Sequence, residues 1–196
     1  MTANPARVAA SPAAKMKRWM CEASKAESLG TAATLCTVGP GGVPSSRTVT
    51  VKALYGDSCV FTTALWNRKA HDIAQNPAVS LLFFWPRLRR QMHVAGLARR
   101  AERQMVESLF AERPRAHQLQ TLVSRQGEPI ESLLPIRMTL AQLRDLPGPV
   151  ACPEDWGAFR VVPRAVEFWT EAPDRIHTRE LWIRERERWT TTLLAP

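Results

Sequence analysis

The sequence predicts a mainly β protein, a closed or partly closed barrel with a few helices packed on it. Two observations carry that prediction. β-Branched and apolar runs of strand length recur at short spacing from residue 31 to the end of the chain. Most neighbouring runs are joined by turns containing Gly, Pro or Asp, which are too short for the crossovers that parallel strands need.

The elements follow in order. Residues 13–28 place Met16, Trp19, Met20 and Ala23 at helical spacing, with Gly30 beyond the end. The period then changes, and residues 31–38 read as a strand. Gly39, Pro40, Gly41 and Gly42 turn the chain, and residues 43–55 resume as a strand. After a second turn at Gly56, Asp57 and Ser58 comes the apolar strand 59–63. Asn67 is a helix N-cap, and Asn76-Pro77 stops that helix. Residues 78–85 form a buried strand and 91–99 another, separated by Pro86 and a basic turn. Residues 102–126 and 138–146 read as helices, followed by a Pro- and Gly-rich loop at 147–156. Strands at 158–170 and 178–196 close the chain, the last broken by a charged turn. No repeat is evident, so the reading is one domain over 16–196 after a flexible tail over 1–15.

Composition bounds the function. With 45% hydrophobic and 23% charged residues, the chain has the balance of a globular domain with a full core. No apolar run reaches membrane-helix length. The first 15 residues lack a signal peptide's apolar core, so a cytoplasmic protein is expected. Cys21, Cys36, Cys59 and Cys152 are scattered without a C-x-x-C pair, which argues against disulfides and a metal site. A net charge of +9, from 27 Lys and Arg against 18 Asp and Glu, favours an anionic partner: nucleic acid, acidic lipid or a charged small molecule.

Three local patterns carry chemistry. Arg68 and Lys69 follow the N-cap Asn67, where the helix dipole disfavours cations. They are either a solvated helix start or, with the exposed N–H groups, a phosphate site. In the strand 47–52, period two puts Arg47, Val49 and Val51 on one side and Thr48, Thr50 and Lys52 on the other. That is a half-exposed strand, or an edge laid along a flat ligand with Arg47 at its phosphate end. On an extended segment Arg175, His177 and Arg179 share a face, which is ordinary surface or a carboxylate-attracting patch. The alternating run 184–188 reads as a solvated hairpin tip. There is no Gly-rich phosphate loop and no nucleophile elbow.

Taken in order, RTVTVK (47–52), VFTT (60–63), NRKAHDIAQNPAVSLLFFW (67–85), RRQMHVAG (89–96), ERPR (112–115), VSRQ (123–126), VEFW (166–169) and RIHTR (175–179) resemble the pyridoxamine-phosphate-oxidase family. The likeness extends over residues 16–196, including the closing Trp189 and Leu194 to Pro196. It implies an FMN-binding split β-barrel. FMN contacts would fall on Arg47, Thr48, Val49, Thr50, Val51 and Lys52, then Thr62, Thr63, Arg68, Lys69, Gln91, Gln126, Trp169 and Arg179. It also implies a homodimer with the flavin across the interface, and O2 as the electron acceptor.

For the substrate the resemblance implies Lys52, Arg113, Arg175 and His177, the last two also as the catalytic pair: Arg175 holds an anionic group and His177 orients it or exchanges a proton. The chain departs from vitamin-forming members at four positions. Leu109 stands where a Tyr is expected and His117 where a Ser is expected, Gly127 replaces a Ser after Gln126, and Thr62 replaces an aromatic. Losing the Tyr contact to a phosphate costs about 1.5–3 kcal/mol. The stretch 123–154 resembles instead the phenazine-biosynthesis members, which act on reduced tricyclic carboxylic acids. The expected reaction is therefore oxidation of a small anionic dihydro-aromatic precursor, with pyridoxine or pyridoxamine 5′-phosphate as the alternative substrate. A non-catalytic flavin- or haem-binding protein is a further alternative. Nucleic-acid binding is disfavoured because no binding motif is present, and no membrane partner is expected.

Overall fold

A computed structural model describes residues 7–145 and 147–196. Among them nine strands and five α-helices form the mainly β architecture expected: β1 (Arg7–Ala9), α1 (Ala13–Ala26), β2 (Ala32–Val38), β3 (Pro44–Tyr55), β4 (Ser58–Ala64), α2 (Arg68–Gln75), β5 (Ala78–Trp85), β6 (Arg90–Arg100), α3 (Arg103–Ala111), α4 (Arg115–Val123), α5 (Leu134–Arg144), β7 (Trp156–Thr170), β8 (Thr178–Glu185) and β9 (Arg188–Leu194). Strand β1 pairs with β9 inside the stretch expected as tail.

Strands β7, β4, β3, β2, β5 and β6 pair in that order, and β6 returns to β7, closing a six-stranded antiparallel barrel. The split comes from β7. One edge pairs with β6 along most of its length, while the other pairs first with β4 through Trp156–Val161 and then with β8 through Ala165–Thr170. Strands β8, β9 and β1 thus extend the sheet away from the barrel.

The core follows the sequence periods. In β2 and β5 alternate residues are buried, and Leu35, Leu81 and Phe83 are fully buried in the barrel. Helix α1 buries Met16, Trp19, Met20 and Ala23 in the same cluster. Each large apolar side chain contributes roughly 1.5–3 kcal/mol. Trp19 meets Trp85 and Phe168 edge-on, with ring centroids 6.2 and 5.0 Å away. Gly30 permits this packing, because a Cβ there would lie 2.4 Å from the Ala23 carbonyl carbon.

Two helical readings differ from the structure. The helix expected over 102–126 is two, α3 and α4, broken at Pro114, which lacks an N–H and caps α4 instead. Helix α5 begins at Leu134 with a proline in its first turn and ends at Arg144, where 138–146 was expected.

Candidate functional site

A cleft of about 370 Å³ opens where the outer face of β3 meets the end of β4, the start of α2 and the helical segment α3–α4. Strand β3 lines it as its period requires. Val49 and Val51 are buried in the barrel, while Thr48, Thr50 and Lys52 stand exposed toward the cleft. Lys52 sits where the β3–β4 register shifts between Val51 and Ala53, an irregularity that re-aims a side chain locally.

At one end is a connected set of cations and hydroxyls. Arg47 turns back along β3, with Nη1 donating to Thr37 Oγ1 (2.7 Å) and Nη2 to Ser45 Oγ (2.7 Å). The Thr37 hydroxyl, fully buried, donates to Asp72 Oδ2 at 2.6 Å, and Arg47 lies 3.8 Å from the same oxygen. Asn67 caps α2 by accepting from the Ala70 N–H and donates through Nδ2 to Thr63 Oγ1 at 2.7 Å. Lys69 Nζ lies 3.3 Å from that hydroxyl oxygen, and among the described residues it has no carboxylate partner. Burial, reinforced by the nearby Arg47 charge, pulls the Lys69 ammonium down from 10.5 to about 8. A half-buried cation lacking a counter-charge is electrostatically suited to an anion.

Arg113 and His117 flank the other side of the cleft. The Arg113 guanidinium carbon lies 4.4 Å from the Trp156 ring centroid, and Nη2 donates to the His117 carbonyl oxygen at 3.1 Å. Burial holds the Arg113 pKa below its usual value. The loop after α4 is fastened in a similar way. Arg125 lies 4.7 Å from the Trp66 ring and pairs with Glu128, and Gln126 next to it lines the cleft. Two cation–π contacts thus tie the helical segment to the barrel rim, each contributing about 0.5–1 kcal/mol. Trp66, Trp156, Thr37 and Asp72 were not among the residues singled out in the sequence. They are brought here by strand pairing and helix docking, and only Asn67's capping signal lay near them.

The sequence-selected residues divide into two groups. Arg47, Thr48, Val49, Thr50, Lys52, Thr62, Thr63, Lys69, Arg113, His117 and Gln126 all line the cleft. Val51 is buried behind β3, and Arg68 is exposed at the helix start, close enough for its charge to lower the Arg47 pKa, where burial is the largest cause. Leu109 is not at the cleft surface but buried with Val60, Val106 and Ala158. Gly127 has φ 95°, a conformation that favours glycine over serine.

Gln91, Trp169, Arg179 and His177 gather elsewhere. Gln91 is paired with Trp169 across β6–β7, and Trp169 with Arg179 across β7–β8. Arg179 Nε donates to Glu167 Oε1 at 2.7 Å, and the His177 and Trp169 rings lie 5.0 Å apart. His177 Nδ1 accepts from the Ala172 N–H at 3.1 Å, so the proton of the neutral ring resides on Nε2. The segment before β8 is not extended as expected: Arg175 has φ 65° and its N–H donates to Ala172 O at 3.1 Å, making a tight turn. Strict alternation therefore does not place Arg175 and His177 on one face. Along β7, Trp169 is twelve residues beyond Gly157, the strand partner of Thr63, which is roughly 40 Å of strand.

Comparison with known proteins agrees with this architecture. Residues 24–146 match a family model described as pyridoxamine 5′-phosphate oxidase, and residues 156–196 match the pyridoxine 5′-phosphate oxidase C-terminal dimerisation region. The chain is 40% identical over 188 residues to a pyridoxine/pyridoxamine 5′-phosphate oxidase of Rubrobacter xylanophilus, covering 94% of this chain and 87% of the relative. It is 41% identical over 194 residues to a protein of the same name from a Nocardioides species, covering 97% and 91%. The crystal structure of PhzG from Burkholderia lata 383, in complex with tetrahydrophenazine-1-carboxylic acid, superposes with a TM-score of 0.90 at 25% identity, covering 96% of this chain and 94% of that one. A pyridoxamine 5′-phosphate oxidase-related, FMN binding protein from Nostoc punctiforme shares the fold at TM-score 0.81 and 18% identity, covering 96% and 98%. With both family models matched in order and near-full-length relatives at this identity, the chain belongs to the pyridoxamine 5′-phosphate oxidase family of flavin-dependent oxidases.

Proposed function

We propose that this protein is a homodimeric FMN-dependent oxidase of a small, anionic, dihydro-aromatic substrate, with a phenazine-type carboxylic acid as the preferred class. The observation that carries the cofactor is the unneutralised, partly desolvated Lys69 beside Arg47, Thr62 and Thr63 at the start of α2. That donor set fits a phosphate. Arg47, Arg68 and Lys69 would hold it, and β3 would run along the flavin. Gln91, Trp169 and Arg179 form a cluster of their own across β6, β7 and β8, and none of them lines the cleft. A second copy, paired through its C-terminal strands, would supply them.

Bound FMN supplies a two-electron acceptor that dioxygen reoxidises, releasing peroxide. The chain's own side chains bind and orient. Arg113, held against the Trp156 ring, would offer its remaining donors to a planar carboxylate. Arg175 of the partner copy would hold a second anionic or polar group. With Nδ1 engaged by Ala172, His177 would meet the substrate through Nε2–H, as a donor that orients it.

The carboxylate reading rests on which donors the cleft offers. Leu109 is buried and apolar, so the anion meets Lys52, Arg113 and His117 but no phenolic hydroxyl. Likeness to PhzG supports the same class. A second reading, pyridoxine 5′-phosphate oxidation, is favoured by the names of the relatives at 40–41% identity and by Lys52 and Arg113 in the cleft. Peroxide release should be measured with a dihydrophenazine carboxylic acid and with pyridoxine 5′-phosphate on one preparation. We expect kcat/KM for the first to exceed the second by about tenfold or more, the weight of one lost charged hydrogen bond. Equal or reversed values would establish the vitamin reading in its place.

Lys69 gives the cofactor site a pH signature. In the flavin-free protein its ammonium loses a proton near pH 8, and a bound phosphate dianion would raise that value. Binding above pH 8 then requires proton uptake, so FMN affinity should fall by up to about tenfold per pH unit as pH rises from 8. Flavin fluorescence titrations between pH 7 and 9.5 would show this slope. Lys69→Met should bind more weakly at pH 7 and lack the slope; a slope that persists in this variant would exclude Lys69 as its source.

A further inference from the structure

A second groove, of about 480 Å³, lies on the outer face of β6 and β7, overhung by the β8–β9 hairpin, and shares no lining residue with the cleft. The inward neighbours Ala98 and Val161 are buried in the barrel, so Leu97, Arg99 and Val162 point outward. Leu97, Val162 and Pro163 supply apolar lining, while Arg99 and Arg164 come from the barrel strands and Arg184, Arg186 and Glu187 from the hairpin. The alternating 184–188 run is the exposed hairpin tip expected, and two of its arginines, Arg184 and Arg186, also line this groove with Arg99 and Arg164.

The charges in this groove are unevenly matched. Arg184 is held by Asp57 at 3.9 Å and Glu187 at 3.7 Å, with Nε donating to the Arg186 carbonyl oxygen at 3.3 Å. Arg99, Arg164 and Arg186 are exposed and, among the described residues, make no side-chain hydrogen bond or ion pair. Arg186 also adopts φ 54° at the hairpin turn, where glycine or asparagine is the favoured occupant. Three unneutralised guanidinium groups line one groove with Leu97, Val162 and Pro163, and the carboxylate that also lines it, Glu187, is paired with Arg184. A multivalent anion would offset that unneutralised charge.

The geometry points to a second, non-catalytic binding site in this groove, for a small molecule bearing at least two anionic groups on an apolar frame. Its location separates it from the Trp169–His177 cluster, at the other end of β8, seven residues or roughly 23 Å away. The inference is independent of the flavin reading and of the substrate.

Calorimetric titration of the protein as purified would test it, using inorganic pyrophosphate for charge alone and naphthalene disulfonate for charge on an apolar frame. Both should bind saturably, the disulfonate more tightly. The triple variant Arg99→Ala/Arg164→Ala/Arg186→Ala should lose about a hundredfold or more of that affinity, and Arg99→Ala alone, outside both the cleft and the C-terminal dimerisation region, should weaken binding with peroxide-forming turnover unchanged. Arg164→Glu alone should weaken binding in a chain with one surface change, which guards against a folding defect in the triple. Absence of saturable binding, or wild-type affinity in both variants, would overturn the proposal. Binding confined to the cleft would appear as the second of these outcomes.

Discussion

Replacing Arg68 and Lys69 together by alanine is expected to strip FMN from the protein while leaving the barrel folded. Both side chains sit in the first turn of α2, Arg68 exposed and Lys69 half-buried, with no carboxylate partner among the described residues. Removing them should therefore cost the apoprotein little, and relieve the mutual repulsion with Arg47. Each charge-assisted phosphate contact is worth about 1.5–3 kcal/mol, so losing two should weaken FMN by at least a hundredfold. The colour of the purified protein, the flavin released on denaturation and the dissociation constant all report on this. A double variant that retains wild-type FMN affinity would remove α2 from the phosphate site. The single variants apportion the effect. Lys69→Ala should be the more damaging, because Lys69 lines the cleft and Arg68 does not.

The parts of this site that were legible in sequence are those set by local rules. Period two assigned Thr48, Thr50 and Lys52 to one face and Val49 and Val51 to the other, as the burial of β3 has it. Asn67 announced a helix start through its side-chain acceptor, and with it the neighbours Arg68 and Lys69. Tertiary juxtaposition was not legible. Thr37 and Asp72 are 35 positions apart and meet only because α2 docks beside the end of β2. Trp66 and Trp156 gained significance from arginines on a helical segment whose course depends on Pro114. The segment before β8 was read as extended because its residues alternate, but Asp174 and Ala172 accept backbone N–H bonds that fold it into a turn. Such a turn competes locally with strand and leaves little trace in hydropathy.

The buried acid beside the cation cluster should separate stability from cofactor affinity. Asp72 is 3% exposed, accepts from the Thr37 hydroxyl at 2.6 Å and faces Arg47 at 3.8 Å. In Asp72→Ala the Thr37 hydroxyl, fully buried, loses its acceptor, and the half-buried Arg47 loses its counter-charge. Breaking one partner out of a buried charged network costs about 3 kcal/mol. For a chain of this size that corresponds to a fall in Tm of about 6–12 °C for the flavin-free protein. FMN affinity should move differently. Arg47 keeps its bonds to Thr37 and to the carbonyl and hydroxyl of Ser45, so its guanidinium stays aimed. Removing a negative charge from behind it leaves more positive potential for a phosphate. Asp72→Asn, which can still accept from Thr37, should therefore melt between wild type and Asp72→Ala, yet bind FMN at least as tightly as wild type. Thermal melts without flavin and fluorescence titrations with it measure the two quantities separately. If Asp72→Asn loses FMN in proportion to its loss of stability, the carboxylate is needed to place Arg47, and the phosphate would then be held by an ion-paired rather than a freed guanidinium.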